Sequence, residues 1–149
     1  MEIDINQQQC QLIAERIKPL VFRLEHQQRE YLTFSADKET KLRVYLFSAA
    51  ICHQTHTLVH KSKNLKGWDY LEYIFTRLGR YNSKLLEPKY LKTLTSEQLS
   101  RQLKILFSEK GQCTLDRLEE RSNLLIGIAK KLNQEFQGKI ERLLEISQN

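Results

Sequence analysis

The chain has 149 residues, 40% of them hydrophobic and 28% charged, with only five Gly and two Pro. That length suits one folded core, and that balance excludes low-complexity and disordered classes. Against 18 acidic residues stand 24 basic ones, a net charge of +6 that permits polyanion contact without the extreme of a histone-like tail.

Three and four are the spacings at which apolar residues recur almost everywhere, so helices are expected and strands are not. The reading is all-α: one domain over residues 1–149, a compact orthogonal bundle of six or seven helices. The first helix runs from about Asn6 to Gln28 and buries Leu12, Ile13, Ile17, Leu20, Val21 and Leu24, with Pro19 as a kink or break. Ser35-Ala36-Asp37 supplies capping chemistry for the second, about Lys38 to His60, whose apolar run makes it the central helix.

A basic loop, Lys61 to Gly67, leads into an aromatic helix from Trp68 to Leu78 that Gly79 ends. Leu85 to Pro88 reads as a turn into a short helix. Thr95-Ser96-Glu97-Gln98 has capping-box spacing ahead of Leu99, Leu103 and Leu106, and Gly111 closes that helix. Thr114 opens the last long helix, with Leu115, Leu118, Leu125, Ile128, Leu132 and Phe136 on one stripe and Glu119, Glu120, Arg121, Lys130 and Lys131 mainly outside it. Gly138 terminates it, and Lys139 to Ser147 forms a further amphipathic segment that needs a surface to cover.

No run of about 18 uncharged apolar residues occurs, and the start MEIDINQQQCQ lacks the basic-then-apolar order of a signal peptide. A cytoplasmic protein without membrane contact is therefore expected. Cys10, Cys52 and Cys113 are odd in number and lack CxxC spacing, which fits reduced thiols and no cofactor. His53, His56 and His60 lie three and four apart, so on a helix they could share a face and hold a metal. With no HExxH motif or distant paired carboxylate, the expectation is no metal, with His56 and His60 hydrogen-bonded to neighbours such as Asp69 or Glu72. Lys61, Lys63 and Lys66 beside Trp68 and Tyr70 combine phosphate-seeking charge with stacking surface.

The run Leu46 to His56, LFSAAICHQTH, resembles the early helix of the helix-hairpin-helix DNA glycosylases. Glu120 to Leu132 with Phe136-Gln137-Gly138 and Leu143-Leu144-Glu145 is similar to the helix, glycine turn and leucine-rich segment preceding the hairpin of endonuclease III-like glycosylases. Gly67 to Phe75 resembles the aromatic helix of archaeal oxoguanine glycosylases, and Leu86 to Leu91 with Leu118 to Arg121 is similar to queuosine-salvage nucleoside glycosylases. The resemblance implies a base-excising N-glycosylase-like protein acting on a modified base in DNA or on a modified nucleoside.

By that resemblance Gln54 reads a base edge in a hollow, His53 and Trp68 line or stack, and Lys61, Lys63 and Lys66 meet phosphate. In those families the catalytic Asp follows the matched segment, and Asp69, Asp116, Glu119 and Glu120 lie too early to match it. The chain is thus expected to supply the recognition wall, with a missing C-terminal half or partner chain supplying catalysis. The alternative is a non-enzymatic helical module that docks a partner through its C-terminal apolar segment.

Overall fold

A computed structural model describes residues 34–147. The expected first helix, about Asn6 to Gln28, lies outside the described residues. Six α-helices account for most of the described chain: α1 Lys38–Ala50, α2 Gly67–Arg80, α3 Pro88–Leu91, α4 Ser96–Leu106, α5 Leu118–Glu135 and α6 Ile140–Ser147. The fold is mostly α. No helix among the described residues is long and apolar enough to cross a membrane.

Local chemistry sets several of these boundaries. Asp37 caps α1 by accepting from the Thr40 N–H at 2.9 Å. The capping box of α4 is complete: the Gln98 N–H donates to Thr95 Oγ1 at 3.2 Å, and the Thr95 N–H donates to Gln98 Oε1 at 2.9 Å. Pro88 starts α3 in the first turn, where its missing N–H costs nothing.

The central helix is shorter than expected. It stops at Ala50, and residues 51–66 form a 3-10 turn, Thr55–Thr57, and two short strands, β1 Val59–His60 and β2 Leu65–Lys66, paired antiparallel around the turn Lys61–Lys63. Gly111, expected to close a helix, instead sits in a second hairpin of β3 Ser108–Glu109 and β4 Gln112–Cys113. There Lys110 and Gly111 both take positive φ, 51° and 82°, the pattern that a tight two-residue hairpin turn demands.

Thr114 also departs from its expected role as a helix start. Its hydroxyl donates to the Val59 carbonyl at 3.0 Å and accepts from the Val59 N–H at 3.2 Å, clasping the two hairpins together. The last long helix therefore opens four residues later, at Leu118.

Phe34, Val44, Phe47, Tyr70, Leu71, Phe75, Leu99, Leu103, Phe107, Leu125, Ala129 and Leu132 form one buried core. Gly79 lies inside α2 and does not end it. A Cβ there would come within 2.8 Å of Val44 Cγ2 and 2.9 Å of the Phe34 ring, so glycine is what lets α2 approach α1. Gly79→Ala should therefore lower stability by about 1–3 kcal/mol through overpacking, measured by urea unfolding; an unchanged midpoint would contradict this close approach.

Candidate functional site

Arg121, expected outside the apolar stripe, is fully buried. Its guanidinium donates to the carbonyls of Ile51 and, at 2.9 Å, His53, and from Nε to the Asp116 carbonyl at 2.9 Å. The same Nη2 reaches Asp116 Oδ1 at 2.6 Å. A buried charge persists only when paired and hydrogen-bonded, and here one fork satisfies the carbonyls where α1 unwinds. That hydrogen bonding, followed by the guanidinium's charge, holds the Asp116 carboxyl below its ordinary range.

The predicted base-recognition residues sit on and beside this unwound turn. Gln54 is exposed and takes a left-handed φ of 51°; it is neither on a helix nor among the residues lining either cavity described below. His53 is half-buried, with Nε2 3.4 Å from Glu120 Oε1 but making no hydrogen bond. Trp68, in the first turn of α2, packs against the core. The start of α2 is tied to this corner by the Gly67 N–H, which donates to the Leu58 carbonyl at 2.8 Å.

Lys61, Lys63 and Lys66 are exposed on the first hairpin, with Lys63 Nζ 5.2 Å from the centroid of the Tyr73 ring. The N–H pair that a phosphate would seek there is already engaged. Glu109 accepts from the Lys61 N–H at 2.6 Å and the Ser62 N–H at 2.8 Å. Ser62, by hydroxyl and backbone, leads the groups that pull the Glu109 carboxyl down to about 2, with Lys61 and the nearby His60 adding to it.

His60 turns to partners other than Asp69 and Glu72: its Nδ1 lies 3.4 Å from Glu109 and 3.3 Å from Ser62 Oγ, and its ring meets Tyr70 edge-on at 4.9 Å. His56 is exposed. Among the described residues no group of three His, Cys, Asp or Glu could hold a metal ion.

A broad concave feature lies elsewhere among the described residues. A groove of about 1180 Å³ runs along α5, walled by Leu46 of α1 and Leu143 of α6. Leu118, Leu124, Ile128, Leu132 and Phe136 make it apolar, and Arg117, Glu119, Glu120, Lys131 and Glu135 supply charge. Four of the six stripe residues read from the sequence line it or its end; Leu115 and Leu125 are in the core instead. A second cavity, near Arg43 and Asn82, holds only about 50 Å³.

Gly127 also lines the groove, two turns into α5. Among the described residues nothing lies within 4 Å of the Cβ it lacks. The signal was legible, a lone glycine within a long amphipathic run, but spacing alone gave it no direction. No protein-family model, no curated protein and no solved structure matches this chain.

Two measurements probe the anchors of this region. Arg121→Met leaves the Ile51 and His53 carbonyls without their donor and should cost about 3–5 kcal/mol. Arg121→Lys should recover only part of it, because a single ammonium nitrogen cannot reach acceptors that three guanidinium nitrogens address separately; equal unfolding midpoints for Lys and Arg would refute the fork. For Glu109 the folded carboxyl lies at about 2 against an ordinary 4.5, so its contribution is complete above that ordinary value and disappears as pH falls through about 2. The melting-temperature gap between wild type and Glu109→Gln should be open at neutral pH and close across this acid window; a gap independent of pH would reject the linkage.

Proposed function

We propose that this protein is a non-enzymatic helical interaction module whose groove, between α1, α5 and α6, receives one amphipathic helix of a partner. The observation that carries this reading is Gly127. Glycine within a helix costs roughly 1 kcal/mol relative to alanine, and the described structure contains no neighbour that the missing Cβ would meet. What the glycine provides is room for a second backbone to approach the wall of an apolar groove.

Size and length support the same occupant. At about 1180 Å³ the groove exceeds the roughly 300–1,000 Å³ of small-molecule sites. From Leu118 to Leu132 the α5 wall extends for about 21 Å, which matches four turns of a docked helix presenting anchors at helical spacing. The charges along it are largely paired among themselves, Arg117 with Glu120 at 3.4 Å and Lys131 with Glu135 at 3.5 Å, so the apolar stripe is what a partner helix would meet.

A second reading, base recognition at the turn after α1, rests on the strain at Gln54 and the orphaned His53 Nε2. Left-handed backbone at a non-glycine residue costs roughly 1–3 kcal/mol and concentrates at working sites. Gln54 is exposed and lines neither of the two cavities described above, so this reading ranks second. Gln54→Ala separates the two. It should leave stability within about 0.5 kcal/mol in either case, and it weakens binding of a modified nucleoside only under the second reading.

The groove reading makes an asymmetric prediction at Gly127. Gly127→Ala should raise stability by about 0.5–1 kcal/mol, and Gly127→Leu should fold normally but block docking. The probe is a designed amphipathic peptide of about 18 residues with a leucine stripe and arginine flanks, titrated into labelled protein. Chemical-shift changes should centre on Asn123, Gly127 and Lys131 in the wild type and vanish in the Leu variant. Shifts centred elsewhere, or unaltered by Gly127→Leu, would overturn the reading.

A further inference from the structure

We infer that the outer face of α2, from Lys63 beside it to Tyr81 at its end, binds single-stranded nucleic acid. This surface is separate from the groove, none of whose lining residues belongs to α2.

Tyr73 organises two cations from different elements. Lys63, in the turn of the first hairpin, holds Nζ 5.2 Å from the centroid of the Tyr73 ring. Arg77, one turn along α2, holds its guanidinium carbon 5.5 Å from the same centroid and reaches the Tyr73 hydroxyl at 3.5 Å. A ring that attracts both charges fixes their positions without neutralising either. Both cations are exposed, and among the described residues neither forms an ion pair. Two like charges gathered on one ring repel, and a phosphate beside them relieves that repulsion. No backbone donor is needed, so Glu109 keeps the Lys61 and Ser62 N–H groups and does not compete.

Four-residue spacing extends the face. Tyr73, Arg77 and Tyr81 stand one above another along α2 and its C-cap, and Tyr73 to Tyr81 spans about 12 Å. Tyr81 is 77% exposed, the highest value among the exposed large hydrophobic side chains described, and its ring offers the flat platform on which a base stacks. Arg77 lies between the two rings, so charge for the backbone and a face for a base follow one another on a single strip, the combination that single-strand binders use. A duplex keeps its bases paired and gives Tyr81 nothing to stack on. One turn before Tyr73 the same spacing brings Asp69, which bounds the strip at that end.

The test is fluorescence anisotropy of labelled thymidylate and uridylate strands of about 12 nucleotides, titrated with the full chain at several salt concentrations. The wild type should bind at least one of these strands more tightly than a duplex of the same length. Lys63→Gln/Arg77→Gln should weaken binding at least about tenfold and flatten the slope of log K against log salt by about 0.7 for each cation removed. Tyr81→Ala should weaken it about tenfold with the slope unchanged. Lys130→Gln/Lys139→Gln, which removes two exposed lysines of α5 and the turn after it, should stay within about twofold of the wild type. Every substituted side chain except the reference tyrosine ring is a surface cation, and Tyr81 itself is exposed, so all variants should melt with the wild type.

Absence of strand binding by the wild type overturns the inference. So does an equal loss in the Lys130→Gln/Lys139→Gln protein, which would mean diffuse charge and no site. Unchanged affinity in Tyr81→Ala, or duplex or polyglutamate bound as tightly as the strand, overturns the single-strand assignment.

Discussion

One guanidinium fixes the geometry on which the rest depends. The residues after Ala50, Ile51 to His60, are mostly β-branched residues and histidines that propagate a helix weakly, and α1 ends where Arg121 captures the Ile51 and His53 carbonyls. Arginine suits this task, since its planar fork serves several acceptors in fixed directions. The cost of burying its charge is offset by Asp116, whose carboxylate and carbonyl close the set. With α1 stopped, the chain turns through Gln54 into the first hairpin. Thr114 clasps that hairpin at Val59, and Glu109 clasps it at Lys61 and Ser62. The unwound segment is therefore held at its start by Arg121 of α5 and along its first hairpin by Thr114 and Glu109, which precede α5.

What the sequence made legible follows from which interactions are local. The Thr95–Gln98 capping box and the Asp37 cap act over three residues, and the amphipathic α2 and α5 declare their faces by spacing alone. Arg121 was misread because its acceptors lie 70 and 68 residues earlier in the chain; a polar residue at that position looks solvated until those carbonyls arrive. Gly79 and Gly111 show the same limit. Both resemble helix stops, but one permits a contact with Val44 and Phe34 and the other sits in a two-residue turn. The hairpins, with strands of two residues, are too short for alternation to register.

The candidate site divides in the same way. Leu118, Ile128, Leu132, Phe136 and Leu143 were readable as apolar positions needing cover, and they line the groove. Gln54 was read by resemblance on the premise of a continuous helix, and the premise fails at Ala50. A recognition residue on a helix has its direction set by the helix axis; on a left-handed turn it has not, and Gln54 faces solvent. The lysines are exposed, but the Lys61 and Ser62 backbone donors are committed to Glu109, so a phosphate seeking those donors would have to displace an internal carboxylate.

The groove itself depends on a contact no local rule anticipates. α6, which supplies Leu143 to its wall, takes its N-terminal cap from the Glu39 carboxylate of α1, which accepts from the Ile140 N–H at 2.9 Å and the Glu141 N–H at 3.1 Å. Arg43 orients that carboxylate at 3.0 Å. A carboxylate at a helix N-terminus satisfies orphan donors and opposes the positive end of the helix dipole, so Glu39 does for α6 what Asp37 does for α1, from a hundred residues away. The apolar wall of the groove is thus placed by a polar bond at its end. Because α1 carries both Glu39 and Leu46, and Arg121 sets where α1 stops, the cap and the fork act on one helix from opposite ends and together fix the distance between the two sides of the groove.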